Sequence, residues 1–301
     1  MSGMDLTEAA SDATRGADTG RHTGTGARLA RVWRVTASGL CFLVFGAGGV
    51  VLRMLVFPLL ALVLRHEARK RNAAQAIIHA AFAALVGILS RCGVIRCEIR
   101  GAEKLRRDGL LILANHPTLL DVILLMALVR RADCIVKGAL VRNPFTRGPI
   151  QAAGYVCNDS GSGLVEDCIA SVRAGNNLII FPEGTRTPRR PEAQASDNTH
   201  GVARPRLQRG AAQIAVRGRL NITPVRIHCA PLMLVKGEPW WRMPAQPSHF
   251  TLEVGDDIAV QPFLDTPQPR GEANAGEALA ARRLTEFLSS YFFQESPRAT
   301  T

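Results

Sequence analysis

The sequence predicts an α/β fold, a mixed sheet flanked by helices, set behind an N-terminal helical motif that associates with membranes. Two observations predict it. From residue 94 onward, short apolar runs with strand character alternate with segments whose apolar residues recur at helical spacing. Before that point the chain is dominated by two longer apolar runs bracketed by arginine and lysine. The 301 residues give room for one large α/β domain plus an attachment segment. The expected division is a disordered tail over 1–27, a helical membrane anchor over 28–92 and an α/β domain over 93–295.

Charge placement supports the same division. The chain carries 37 basic and 25 acidic residues, a net +12. Between residues 28 and 97 ten basic residues stand against the single acid Glu67, so +9 of that charge lies in the most apolar segment. Nucleic-acid binders pair basic patches with polar or aromatic surfaces. Basic residues flanking apolar helices instead suit anionic headgroups, at roughly 1 kcal/mol each. The partner expected is therefore an anionic membrane surface and not a nucleic acid. The seven cysteines form no C-x-x-C pair and lie scattered in apolar runs, as buried thiols of a reducing compartment do. They show neither a zinc pattern nor a disulfide framework.

Residues 1–27 are rich in Gly, Thr, Ala, Ser and Asp without periodicity. The first apolar run begins about 35 residues in, behind an acid-containing tail, which reads against a secretory signal. That run, 35–64, is interrupted by Arg53 and Pro58 and weakened as a straight helix by Gly46, Gly48 and Gly49. A basic turn follows over 65–71, then a second apolar helix over 73–90 carrying Gln75 and His79. Three arrangements fit: a buried hairpin, one span with a surface helix, or two helices dipping into one leaflet. Basic residues on both sides of each run favour the shallow one.

In the domain, residues 94–100 alternate as a strand, and 110–114 form a short apolar strand that leads through Asn-His-Pro into a helix ending near 129. Short buried strands are expected over 134–137, 155–157 and 178–181. Leu164, Val165, Cys168, Ile169 and Val172 share one helical face, and Gly175 can close that helix. Residues 187–205 read as a loop, 209–216 as a helix, and 222–229 and 250–254 as strands. In a last helix, over 276–293, Leu284, Phe287, Leu288 and Tyr291 line one side.

Two segments carry chemistry. In Asn115-His116-Pro117-Thr118-Leu119-Leu120-Asp121, a strand delivers His116 to a turn and a helix starts at once, with Thr118 as its cap. Five residues from His to Asp cannot share one helix face. Across a strand-turn-helix junction, however, the carboxylate can fold back onto the imidazole, fix its tautomer and leave the other nitrogen as a base. This is the base and orienter of a triad whose nucleophile is the substrate hydroxyl. The spacing alone decides little: seven His and 12 Asp in 301 residues yield about 0.3 such pairs by chance. In Phe181-Pro182-Glu183-Gly184-Thr185-Arg186, a buried strand ends in a loop that can offer backbone N–H groups and a forked guanidinium to a phosphate. Taken singly, each segment also reads as an ordinary capped turn or surface ion pair.

Together the two segments resemble the glycerolipid acyltransferase family, whose best-known members are the 1-acylglycerol-3-phosphate (lysophospholipid) acyltransferases. The resemblance spans roughly residues 92–230. It implies an α/β domain on the cytoplasmic face of the inner membrane. It also implies an acyl-CoA or acyl-carrier-protein donor and a lysolipid acceptor, with neither metal nor cofactor. By that resemblance His116 is the general base and Asp121 its partner, while Glu183, Gly184, Thr185 and Arg186 form the acceptor-binding loop. Lys137 matches a lysine that many relatives carry after the next strand, a candidate for the thioester oxyanion or the donor phosphates. Pro224, in Thr223-Pro224-Val225, matches the acyl or donor side, and Gly210 the glycine that opens a helix.

One departure bears on the acceptor. Where relatives commonly place a phosphate-binding arginine, the best register puts Asp159. An anion there costs phosphate binding unless Arg186, Arg189 or Arg190 offsets it. The expectations left open are phospholipid synthesis on a lysophospholipid, or the same chemistry on a lyso-ornithine lipid, glycolipid or polyene-type lipid. A non-catalytic membrane-binding protein on the same fold is the reading from another class. His79 and His228-Cys229 read as packing residues. Trp240-Trp241 reads equally as a headgroup-level anchor or a loop contact.

Overall fold

The structure is a computed structural model and describes residues 25–143, 146–158, 163–186, 206–265 and 273–293. Asp159, Arg189, Arg190 and residues 1–24 lie outside the described residues. The chain opens with α1 (Thr25–Val51), a π turn (Leu52–Val56) and α2 (Phe57–Val63), followed by α3 (Glu67–Arg91). The π turn has a local cause. Pro58 has no N–H to bond a carbonyl four residues back, and just before it the Phe57 N–H reaches Leu52 O, five residues away. The helix therefore continues through Arg53 and Pro58 instead of breaking.

From there strands and helices alternate: β1 (Ile95–Arg100), β2 (Leu111–Ala114), α4 (Leu120–Leu128), β3 (Ala132–Val136), α5 (Gly138–Arg142), α6 (Arg147–Ala153) and β4 (Val156–Cys157). Next come α7 (Leu164–Arg173), β5 (Asn177–Ile180), α8 (Gly210–Gly218), β6 (Ile222–Ala230), β7 (Ser248–Val254), α9 (Gln261–Leu264) and α10 (Ala273–Phe293). The seven strands form one mixed sheet in the order β1-β7-β6-β2-β5-β3-β4. All neighbours pair in parallel except β6 and β7, which run antiparallel.

β2 lies at the centre, and its alternate residues feed two cores. Ile112 and Ala114 pack toward α3 and α4, while Leu111 and Leu113 pack toward α7, α8 and α10. A strand covered on both faces needs an unbroken apolar run, as Leu-Ile-Leu-Ala provides. Pro224 sits in β6 opposite Leu113 and one residue before β6 begins to pair with β7, so its missing N–H disrupts no ladder with β7. The helices over 138–153 carry too few apolar positions at helical spacing to be read from sequence.

Two helical stretches, Gly26–Val63 and Glu67–Arg91, are long and apolar enough to cross a membrane. They differ in surroundings. Leu40, Leu43, Leu59 and Leu62 leave the first largely uncovered by protein. The second, α3, is docked on the domain: His79 Nδ1 lies 3.0 Å from the Met126 carbonyl of α4, and Gln75 Nε2 donates to Ala153 O of α6. Not all of the N-terminal arginines face outward either. Arg71 pairs with buried Asp133, and Arg34 donates to Ala245 O.

Candidate active site

His116 follows the carboxyl end of β2, and the chain turns straight into α4. His116 Nδ1 lies 2.9 Å from Asp121 Oδ2. No surface of Asp121 is exposed. The same Oδ2 accepts the Thr118 N–H at 2.6 Å, and Oδ1 accepts the Thr118 hydroxyl at 2.8 Å. Thr118 Oγ1 in turn accepts the Leu120 N–H at 3.1 Å, so the predicted cap residue serves both helix and carboxylate. Burial pushes the Asp121 carboxyl above the ordinary carboxylate range, and the donors from His116 and Thr118 offset this only in part. An acceptor at this place assigns the Nδ1 proton to the Asp121 side and makes Nε2 the basic nitrogen of the ring.

Three contacts hold the histidine that the spacing alone did not reveal. Asn115 Nδ2 donates to Ile227 O at 2.8 Å and its Oδ1 accepts the Ile227 N–H at 2.7 Å. The side-chain amide thus extends the β2–β6 ladder by one step beyond the strand. Phe181, at the end of β5, lies with its ring centroid 4.3 Å from that of His116 at an interplanar angle of 30°. The Glu183 carboxylate accepts the His116 backbone N–H at 3.0 Å. The second motif is therefore in direct contact with the first, because β5 and β2 are parallel neighbours and both loops leave the same edge of the sheet.

Around Glu183 the loop is tightly folded. Gly184 has a φ of +69°, the conformation that favours glycine, and the Gln208 side-chain amide lies against the space a Cβ would take. The Gln208 N–H also donates to Pro182 O at 2.7 Å. Arg186 Nη1 donates at 2.9 Å to Leu234 O, which also accepts the Leu119 N–H at 3.2 Å. One carbonyl thus ties the arginine to the turn that carries His116. Thr185 is half-buried beside it.

The remaining predicted residues are placed differently. Lys137 is exposed at the carboxyl end of β3, two strands or about 10 Å from β2. Pro224 is a sheet residue below the edge, and Gly210 opens α8 as expected. Among the described residues, no group of three or more His, Cys, Asp or Glu side chains is placed to hold a metal ion.

Residues 96–228 match the family model described as Acyltransferase. No curated protein matches the chain. Among solved structures, the 1-acyl-sn-glycerophosphate (LPA) acyltransferase PlsC from Thermotoga maritima superposes with a TM-score of 0.56 over 88% of this chain and 98% of that one, at 18% identity.

Proposed function

We propose that this chain, whose residues 96–228 match the Acyltransferase family model, moves a fatty acyl group from acyl-CoA or an acyl-carrier protein to the hydroxyl of a lysophospholipid such as 1-acylglycerol-3-phosphate, in phospholipid synthesis. The observation that carries this reading is the 2.9 Å His116–Asp121 pair with its carboxylate fully buried. In the proposed reaction Nε2 removes the acceptor hydroxyl proton as the oxygen attacks the thioester carbonyl. Asp121 stabilises the imidazolium that forms. The tetrahedral oxyanion is held by N–H groups. It then collapses, the C–S bond breaks, and the imidazolium returns its proton to the leaving thiolate. The products are an ester and a thiol, and no acyl-enzyme forms.

The other residues take supporting roles in this reading. Glu183 positions the His116 backbone, and Arg186, fixed through Leu234 O, faces the acceptor's polar group. Lys137, on β3 two strands away from β2, suits the phosphates of the donor better than the oxyanion. The uncovered helix Gly26–Val63 supports attachment to the cytoplasmic leaflet of the inner membrane, with the domain on the cytoplasmic face.

The test is turnover of the purified full chain with acyl-CoA and lysophosphatidic acid, followed by free thiol and by product lipid. His116→Ala should lose about 10²–10⁴-fold in rate while still sedimenting with membranes. Near wild-type turnover in that variant would refute the mechanism. Asp159 supports a second reading of the acceptor, a headgroup with less negative charge such as an amine-bearing lysolipid. Under it, wild type uses lysophosphatidic acid poorly and Asp159→Arg improves it. Efficient wild-type use, unimproved by the substitution, returns the acceptor to lysophosphatidic acid.

A further inference from the structure

The segment between β6 and β7, residues 231–245, is fixed at both ends and exposed in the middle. Met233, Leu234, Val235 and Met243 are buried and make it a rigid platform. At one end the Leu234 carbonyl holds Arg186 and Leu119 beside the His116 turn. At the other, Arg34 of α1 donates to Ala245 O. Between these points Trp240 and Trp241 meet edge to face at 5.9 Å between centroids, and both stay about half exposed. Large apolar side chains held open on a rigid platform call for a covering partner.

Its position says which one. The Trp240 ring lies against α1 at Gly39, where an added Cβ would stand 3.1 Å from it. The neighbouring residues Leu40 and Leu43 belong to the uncovered apolar face of the same helix. The tryptophan patch is therefore continuous with the apolar helix surface. Arg242 and Arg31 are exposed and line one groove with Trp241, where Glu238 lies 3.7 Å from Arg242. Indole rings beside basic side chains, next to an apolar helix, match the layered chemistry of a headgroup region.

We infer that the 231–245 loop is a second bilayer contact, which inserts Trp240 and Trp241 at the headgroup level of an anionic leaflet and seats the mouth of the His116 site on the lipid surface. The inference rests on the membrane-enzyme reading above. Leu119, exposed at the start of α4 and bonded to the same loop, extends the seat to the edge of the site.

The chain has three tryptophans, so Trp33→Phe leaves only the loop pair to emit. The full-length Trp33→Phe protein is reconstituted with phosphatidylcholine–phosphatidylglycerol vesicles brominated at shallow acyl positions. The expected result is flotation with the vesicles and loss of about half the emission relative to unbrominated lipid. Flotation without quenching would overturn the loop contact while leaving the helix attachment standing. Failure to float would overturn both. As a second arm, Trp240→Ser/Trp241→Ser should weaken vesicle binding about tenfold, equivalent to ~1.4 kcal/mol, with an unchanged unfolding midpoint in detergent. Unchanged vesicle binding in that variant also overturns the inference.

Discussion

Asp121 and Asp133 have no exposed surface, and each is held by a hydroxyl, a backbone N–H and one side chain able to carry positive charge. For Asp121 these are the Thr118 hydroxyl, the Thr118 N–H and His116. For Asp133 they are the Ser171 hydroxyl, the Cys134 N–H and Arg71 at 3.0 Å, with the Val156 N–H as a further backbone donor. Burial raises both carboxyls above the ordinary range, and the surrounding donors oppose it in both. The difference is the third partner. A guanidinium keeps its proton at any pH a protein survives, so the Asp133 site can only hold α3 against β3. An imidazole can give its proton up and take another, so the same arrangement at Asp121 can orient a base, the role proposed for it above.

The comparison breaks first at Asp121. Asp121→Asn can still accept from Nδ1 and from the Thr118 N–H, but it cannot neutralise an imidazolium. We expect kcat to fall at least about 10²-fold with KM and the unfolding midpoint little changed. A loss confined to stability would make Asp121 a second Asp133. At Asp133 the expected pattern is the reverse. Asp133→Ala leaves the Arg71 guanidinium, the Ser171 hydroxyl and the Cys134 N–H without their acceptor. That costs about 3 kcal/mol of stability, while the folded fraction keeps turnover within a few-fold. Thermal unfolding in detergent and single-temperature kinetics on the same preparation separate the two effects. Ser171→Ala, which removes one donor and leaves the ion pair, should cost about 1 kcal/mol by the same assay.

The two sites also differ in how far they could be read from sequence. His116 and Asp121 lie in one strand-turn-helix segment, so local turn geometry allows them to meet, although the family resemblance is needed to choose that reading over a capped turn. The loop over 183–186 is less local: the strand ending at Pro182 predicts its place at the sheet edge, but the acceptor-binding role proposed for it comes from the family resemblance. Asp133 and Arg71 are 62 residues apart, and their meeting depends on how α3 lies across the sheet. In the sequence Arg71 is one of a basic run that reads as a headgroup anchor, and nothing local separates it from Arg69 or Lys70. Phe181 over His116 and the Leu234 carbonyl under Arg186 were hidden in the same way, since both arise from parallel strand order and loop return. α5 and α6 were missed because their apolar residues are too few to show a period.

A third carboxylate isolates what burial does. Asp257 has partners of the same kinds, the Arg107 guanidinium at 2.7 and 2.9 Å and the Thr223 hydroxyl at 2.7 Å. Its side chain is 29% exposed, and its carboxyl is held below the ordinary range, chiefly by the Arg107 hydrogen bonds. Similar donors thus accompany opposite shifts, and access to water decides the sign. A lowered carboxyl contributes stability above its unfolded value, near pH 3.9, and that contribution disappears as pH falls through the lower folded value. A raised carboxyl such as Asp133 works the other way, and its ionisation reduces stability as pH rises. Asp257→Asn should therefore lower the unfolding midpoint slightly near neutrality, by less than about 1 kcal/mol for a pair this open to solvent. The gap between variant and wild type should then narrow as the pH is taken down below the ordinary carboxylate range and the wild-type carboxylate gains its proton. A gap of constant size across that range would mean that hydrogen-bond geometry, and not charge, carries the Arg107–Asp257 contact, and water access would no longer explain why the three aspartates differ.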